Sequence, residues 1–315
     1  GFGRHETRNS VPMKIAMTGA TGFVGGAILR RLLRRGHEVR ALVRDPNRAG
    51  RLCDLGAVEC IGGSLDDLDA VRALVTGVDA VVHLVGIIVE SGAQTFQRVH
   101  VEGTERLADA VRKAGVPRFV HMSALGARPD AGATSYHRTK AAGEDAVRGA
   151  GPAHVILRPA LIAGAGNVPL EMMVKLIRFS PAVPVVGDGR YLLQPVWIED
   201  VAEAFALAVE RAELSGTFEI AGPEQLSWDR MLDALEAVLR VRRVRLHVPL
   251  PLVLLGALAG RLAPAVAPIT TEQMQMLLEG NVTSANAIAT TFGITPRSFA
   301  EVAREMWAPY APAPR

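Results

Sequence analysis

Apolar residues along this chain come in short runs separated by stretches that repeat at helical spacing. Ile15-Ala16-Met17 is one such run; a glycine-containing turn follows, then Ala27 to Leu33 with a helical repeat. Glu38 to Val43 and Val58 to Ile61 predict the next two strands, with Asp45-Pro46 breaking the chain after the first. Asp66 to Val75 predicts a helix, with Asp66 and Asp67 in the first turn, where carboxylates suit the helix dipole. A strand over Asp79 to Gly86, a helix over Thr95 to Ala114, a strand over Arg118 to Met122, a helix over Ser135 to Gly149 and a strand over His154 to Leu157 continue the pattern. This alternation predicts an α/β fold, a doubly wound parallel sheet with helices on both faces. The strands are continuously apolar, which fits burial on both sides.

Beyond Pro159 the pattern loosens. Prolines and glycines cluster from Ala163 to Gly189, and the later elements read as helices: Val201 to Arg211, Trp228 to Leu239 and Thr271 to Leu278. The expected organisation is a sheet domain over residues 13–165 with a returning segment near 196–222. Residues 166–195 and 223–315 would form a smaller, mainly helical C-terminal lobe. Residues 1–12 are polar and lack the apolar core of a signal peptide, so they read as a leader or disordered tail.

Composition narrows the classes. The 315 residues are 49% hydrophobic and 21% charged, ordinary for a soluble globular protein. A formal charge of +3 without a lysine- or arginine-rich block gives no nucleic-acid footprint. Cys53 and Cys60 have no metal-ligand spacing and fit a reducing compartment, so cytoplasmic residence is expected and no metal site. Val248 to Pro268 is apolar, but prolines and Arg261 interrupt it. Its unbroken part, Leu252 to Ala263, is shorter than the roughly 20 residues of a spanning helix. A buried or lipid-surface helix is expected there, which leaves room for a membrane-peripheral location.

The turn after the first strand is Thr18-Gly19-Ala20-Thr21-Gly22-Phe23-Val24-Gly25. Gly19 allows the tight turn, Gly22 lets backbone approach a pyrophosphate, and Gly25 lets helix pack on strand. Phosphates would lie at the helix N-terminus, where unpaired N–H groups and the dipole favour negative charge. At the end of the second strand, where an acidic residue would bind ribose hydroxyls, the chain has Arg44. Its planar charged fork suits a 2′-phosphate, so NADP(H) is preferred over NAD(H). The alternative is a solvated Arg44, with Asp45 reaching the ribose.

Tyr136 and Lys140 lie four apart on a predicted helix and share a face. An ammonium beside a phenol lowers its pKa, so Tyr136 could act as general acid/base, while Ser123 hydrogen-bonds a substrate oxygen. Lys140 stands out in a chain whose only other lysines are Lys14, Lys113 and Lys175. The bland alternative is a surface helix face. His83 and His121 end apolar strands and read as satisfied buried polar groups. Met274, Met276 and Leu277 read as core or dimer packing.

Together these motifs resemble the extended or atypical short-chain dehydrogenase/reductases over roughly Met13 to Ala221. The glycine turn, Leu84-Val85-Gly86, and the Ser123, Tyr136 and Lys140 set carry the resemblance. Gly63-Ser64-Leu65-Asp66 is similar to the family's adenine-ring motif, although Asp66 is equally suited to capping a helix. Arg158-Pro159-Ala160-Leu161-Ile162-Ala163-Gly164 resembles the loop covering the nicotinamide, with Pro159, Leu161 and Ile162 in contact. Pro195 to Ala202 is similar to the family's second-lobe strand and helix start. The resemblance implies a seven-stranded Rossmann sheet and a dinucleotide held by Gly19, Thr21, Gly22, Phe23, Val24, Gly25, Arg44, Ser64, Leu65, Leu84, Val85, Gly86, His100, Met122, Tyr136 and Lys140.

One branch fits best. Val82-His83-Leu84-Val85-Gly86-Ile87, Phe96 to Thr104 and Ser135 to Glu144 resemble proteins related to the NAD(P)H-binding accessory subunit of respiratory complex I. That branch implies tight NADPH binding and allows a structural role or association with a respiratory complex. Active members commonly have Asn-Val-x-Gly-Thr, whose asparagine organises a water relay behind the lysine. Here the residue is His100, which replaces it or leaves the relay missing; the plainer alternative is a packed, hydrogen-bonded core histidine.

The leading expectation is an NADP(H)-dependent oxidoreductase acting on a carbonyl or hydroxyl of an apolar small molecule, as a monomer or homodimer. A non-catalytic NADPH-binding structural or sensing protein is the alternative, and an epimerase or dehydratase using transient oxidation is a further one.

Overall fold

The computed structural model describes residues 11–45, 47, 50, 52, 54–253 and 270–311. Pro46, Cys53, nearly all of the leader and the apolar stretch from residue 254 onward lie outside them. In chain order the elements are β1 (Lys14–Thr18), α1 (Phe23–Arg34), β2 (Glu38–Val43), β3 (Val58–Gly62), α2 (Leu68–Val75) and β4 (Ala80–His83). A π-helical segment, Gln97–Glu102, runs into α3 (Gly103–Ala114), followed by β5 (Arg118–Met122), α4 (Ser135–Gly149) and β6 (Ala153–Pro159). Then come β7 (Ile162–Ala163), α5 (Val168–Phe179), β8 (Ala182–Val186), β9 (Leu192–Leu193), β10 (Val196–Trp197), α6 (Ile198–Glu210) and β11 (Gly216–Ile220). The chain continues through β12 (Leu226–Ser227), α7 (Trp228–Leu239), β13 (Val244–Val248), α8 (Thr271–Glu279), α9 (Ala287–Thr290) and α10 (Phe299–Trp307).

Two compact units result: residues 1–158 with 201–218, and residues 159–200 with 219–315. The expected seven-stranded parallel sheet is present, in the order β3-β2-β1-β4-β5-β6-β11. Ala16, Val81, Phe119 and Ile156 come from its central strands. They pack with Val71 and Leu74 of α2, Leu107 and Val111 of α3, and Val147 of α4 into one buried cluster. The strand order reverses between β1 and β4, so the loops after them diverge and leave a crevice at their C-terminal ends. Thr18 pairs with Leu42 on one side and His83 on the other, which sets three strand ends level at that crevice.

Local chemistry explains where the helices begin. Asp67 caps α2 by accepting from the N–H groups of Asp69 and Ala70, so the helix starts at Leu68 and Asp66 lies outside it. Thr134 caps α4 by accepting from His137 N–H. The long helix expected from Thr95 begins instead as the π-helical segment, which carries His100.

The second unit departs further from expectation. The proline- and glycine-rich region contains α5, which Asn167 caps by accepting from Leu170 N–H, with a proline in its first turn, where a missing N–H costs nothing. Three two-stranded sheets, β7 with β10, β9 with β12 and β8 with β13, join the helices. Val174, Ile177, Val183, Val185, Leu235, Leu239, Phe299 and Trp307 form this unit's core.

Candidate functional site

The glycine turn is built as its spacing predicts. Gly19 has φ +78°, and a Cβ there would lie 3.1 Å from the Leu84 carbonyl carbon. A Cβ on Gly25 would fall 2.0 Å from the Gly19 oxygen, so only glycine permits this contact of α1 with the turn. Gly22 is the N-cap of α1, and no side chain caps the helix or places a carboxylate in its first turn. Phe23 and Val24 form that turn, half-buried. The α2 and α4 N-termini are closed by their caps, whereas the α1 terminus is left to an anion.

A cleft of about 560 Å³ opens over these strand ends. Gly19, Thr21, Arg44, Ser64, Leu65, Val85 and Gly86 line it, with Asp66 and Arg98. Arg44 is exposed and makes no side-chain hydrogen bond or ion pair among the described residues. Asp45, the alternative ribose ligand, accepts from Asn47 N–H at 2.9 Å. Asp66 is neutralised by Arg98 (2.7 Å) and Arg106 (2.8 Å), so its role is an ion pair and the capping falls to Asp67. The cleft is therefore cationic where Arg44 stands. A nicotinamide dinucleotide fits this donor set: the turn has no room for side chains, the helix terminus is uncapped, and an arginine is unpaired.

Beneath the cleft a chain of hydrogen bonds joins three elements. Leu84 N–H donates to Thr18 Oγ1 (3.3 Å), and Thr18 shares 2.6 Å with His83 Nδ1. Thr104 Oγ1 spends its own proton on His100 O (2.7 Å), so His83 Nε2–H must donate to Thr104 (3.0 Å) and Nδ1 must accept from Thr18. Burial, with the nearby Lys140 charge, lowers the His83 pKa to about 3 and keeps the ring neutral. His83 is the satisfied polar group expected. His121 is not: it stacks on His83 at 5.2 Å, and both of its ring nitrogens lack a partner among the described residues. Apolar burial of the β5 row explains the difference, since the facing Ile156 offers no polar group.

Tyr136 and Lys140 share a face of α4, as their spacing requires. Lys140 is 4% exposed, and its Nζ donates to Met122 O at 2.6 Å. Burial lowers its pKa to about 8, with Glu144 pulling the other way. Gly86 lies against this ammonium, since a Cβ there would be in ordinary contact with Nζ at 3.8 Å. The Tyr136 ring packs edge-on against Phe96 (5.8 Å) and His100 (5.5 Å). Burial in that cage raises the phenol to about 12, which reverses the lowering expected from the lysine. Desolvation wins: the hydrogen bond of the Lys140 ammonium among the described residues goes to Met122 O and none reaches the phenol. A phenol in this state is a proton donor at neutral pH.

His100 has a definable role. Its Nε2 accepts from Ile87 N–H (3.0 Å), so Nδ1–H donates to Thr139 Oγ1 (3.0 Å). It thus fastens the loop after β4 to the residue before Lys140. Burial and the Lys140 charge lower its pKa to about 3, so it stays neutral.

Ser123 departs from expectation. It is 3% exposed, and its hydroxyl is buried beside the Glu144 carboxylate without closing a hydrogen bond of ordinary length. Glu144 lies one helical turn beyond Lys140, deeper in the fold. The hydroxyl expected to orient a substrate oxygen is turned inward. Glu144 itself is fully buried and holds Arg158 through two contacts of 2.7 Å and Arg148 at 2.6 Å. Burial pushes its pKa up, but Arg158, Ser123 and Arg148 outweigh this and hold it below the ordinary value.

Pro159, Leu161 and Ile162 belong to the second unit. There Leu161 N–H donates to Asn281 Oδ1 at 2.6 Å, and Ile162 O accepts from Asn167 Nδ2 at 2.9 Å. Sequence reasoning missed Phe96, Thr139 and Glu144. The Phe96–His100 interval of four and the Lys140–Glu144 interval of four were signals, because each puts two residues on one helix face.

A family model described as the NAD dependent epimerase/dehydratase family matches residues 15–221. The chain is 32% identical to a ceramide reductase of Caulobacter vibrioides over 258 residues, 81% of this chain and 79% of that protein. It is also 32% identical over 261 residues to the 40 kDa subunit of mitochondrial NADH-ubiquinone oxidoreductase of Neurospora crassa. That match takes in 79% of this chain but only 65% of the subunit. Among solved structures, UDP-glucuronic acid 4-epimerase of Bacillus cereus superposes with a TM-score of 0.74 at 19% identity, over 93% of this chain and 97% of that one, a likeness of fold.

Proposed function

This chain belongs to the NAD dependent epimerase/dehydratase family, and from that premise we propose that it is an NADP(H)-dependent reductase of a carbonyl on an apolar small molecule. The observation that carries the reading is the pairing of an unpartnered Arg44 in the cleft with a half-buried, protonated Tyr136 on the same helix face as Lys140. Arg44 would hold the 2′-phosphate and the α1 terminus the pyrophosphate. The dinucleotide, when bound, supplies a hydride. Tyr136 gives its proton to the oxygen that gains charge, and Lys140, charged below about pH 8, stabilises the phenolate left behind. An apolar substrate is supported by the relative named for ceramide.

A second reading is favoured by one observation, the inward-facing Ser123 hydroxyl. A protein that holds NADPH without turnover has no use for that hydroxyl, and a relative is named as a respiratory-complex subunit. Titration with NADPH and NADH, followed by nicotinamide fluorescence, tests the shared premise. Loss of one charge-assisted contact of about 1.5–3 kcal/mol predicts that Arg44→Ala weakens NADPH roughly tenfold to a hundredfold and leaves NADH nearly unchanged. Turnover against lipid-like ketones, abolished by Tyr136→Phe with binding intact, selects the reductase. Binding with no turnover selects the second reading, and equal loss of both nucleotides on Arg44→Ala refutes the 2′-phosphate role.

A further inference from the structure

The ribbon of β8 and β13 in the second unit has one face that is exposed at Pro184, Val244 and Leu246 and half-buried at Ala182, Val186 and Val248. The strands pair in parallel, Val244 with Ala182, Leu246 with Pro184 and Val248 with Val186. Because side chains alternate, Val183 and Val185 turn into the core. The opposite face consists of the three pairs above, all apolar, with Val244 64% and Leu246 54% exposed. Pro184 removes one backbone donor from this ribbon, a feature of strands not meant to be extended by another strand.

The charge beside that face is lopsided. Exposure alternates through Arg242, Val244 and Leu246, while Arg243 and Arg245 turn inward. Arg243 donates to Ile177 O and Arg178 O, and Arg245 pairs with Asp229, Asp233 and Glu236. Arg240 and Arg242 make no side-chain hydrogen bond or ion pair among the described residues. Both line a recess of about 730 Å³ in which five arginines meet only two carboxylates, Asp233 and Glu236. Between Glu236 and Glu272 the sequence contains no carboxylate at all. This basic block escapes a search for charge runs because valines and leucines interleave it.

We infer that the β8–β13 face docks on an anionic phospholipid surface, with Val244 and Leu246 entering the interfacial layer and Arg240 and Arg242 meeting headgroup phosphates. An exposed apolar face flanked by unneutralised arginines is the composition that holds a protein on a charged bilayer without spanning it. Among the described residues no helix is long and apolar enough to cross a membrane. A second copy of this chain fits poorly, because a two-fold contact on this face would set the same unpaired arginines against each other. This inference is independent of the dinucleotide reading and extends it by placing the protein where apolar substrates reside.

Co-sedimentation of the full chain with phosphatidylcholine vesicles, with and without phosphatidylglycerol, tests it. Binding should require phosphatidylglycerol and weaken with salt. Each arginine near an anionic surface contributes about a fivefold factor in partitioning, so Arg240→Gln with Arg242→Gln should lower it about 30-fold. Leu246→Asp should abolish binding, with dinucleotide binding and thermal melting as controls for folding. The arginine pair, being exposed, keeps the test valid if Leu246→Asp fails to fold. No association with charged vesicles, or association unchanged in the arginine variant, overturns the inference. So does a concentration-dependent dimer that Leu246→Asp dissociates, which would assign the face to a second copy.

Discussion

Lys140 is held in the folded protein at a cost, and removing its charge should make the first unit more stable. The side chain is 4% exposed and satisfied by one carbonyl, Met122 O at 2.6 Å. Burial lowers its pKa from 10.5 to about 8. That difference corresponds to about 3 kcal/mol, since one unit is worth about 1.4 kcal/mol. The unfolded chain binds this proton more tightly than the folded one, so the penalty is complete below about pH 8 and fades as pH rises toward 10.5. Lys140→Met keeps the length without the charge and leaves Met122 O unpaired, at a cost of about 1 kcal/mol. The variant should therefore be about 2 kcal/mol more stable than wild type at neutral pH. Between pH 7 and pH 10 about 2.5 kcal/mol of the difference between the two should vanish. Tyr136 begins to lose its proton only above this range, and it is present in both proteins. Trp197, Trp228 and Trp307 all lie in the second unit, so tryptophan fluorescence reads the wrong part of the molecule. Pulse proteolysis in urea, with first-unit peptides identified by mass, reads the right one. Parallel stability–pH curves for the two proteins, or a variant less stable at pH 7, would refute the reasoning.

Other expectations are simpler. Gly25→Ala drives a Cβ to 2.0 Å from the Gly19 oxygen, and the turn must open. Loss of NADPH binding and destabilisation of about 1–3 kcal/mol should follow, measured by fluorescence titration and melting. Glu144→Gln leaves Arg158 without its paired carboxylate in a buried setting and should cost about 3 kcal/mol at neutral pH. Because the Glu144 pKa is held low, its contribution is complete above its ordinary value of 4.5 and is lost as pH falls. The variant's acid unfolding curve should accordingly be flatter than that of wild type.

The parts legible in the sequence are those set by local geometry. The strand–turn–helix at Thr18 to Gly25 needs glycine at positions where backbone approaches backbone, and such positions show in composition alone. The shared face of Tyr136 and Lys140 follows from the helical repeat, and the parallel sheet follows from continuous apolar strands. The start of α2 lies two residues beyond the expected one because Asp66 and Asp67 are both competent caps, and only the ion pairs to Arg98 and Arg106 separate them. Helix α5 was hidden by Pro169, which reads as a breaker unless the capping Asn167 is weighed with it.

What tertiary structure alone decided is the state of each polar group, because desolvation depends on neighbours distant in sequence. The phenol of Tyr136 rises because Phe96 and His100 enclose it. Ser123 is buried beside Glu144, which Arg158 and Arg148 anchor. His100 becomes a fastening between Ile87 and Thr139. The exposed ribbon likewise exists only once β8 and β13, some sixty residues apart in the sequence, are paired. The order of residues determined which groups this chain carries and which backbone turns it can make; the packing determined which of them meet water, a charge or one another.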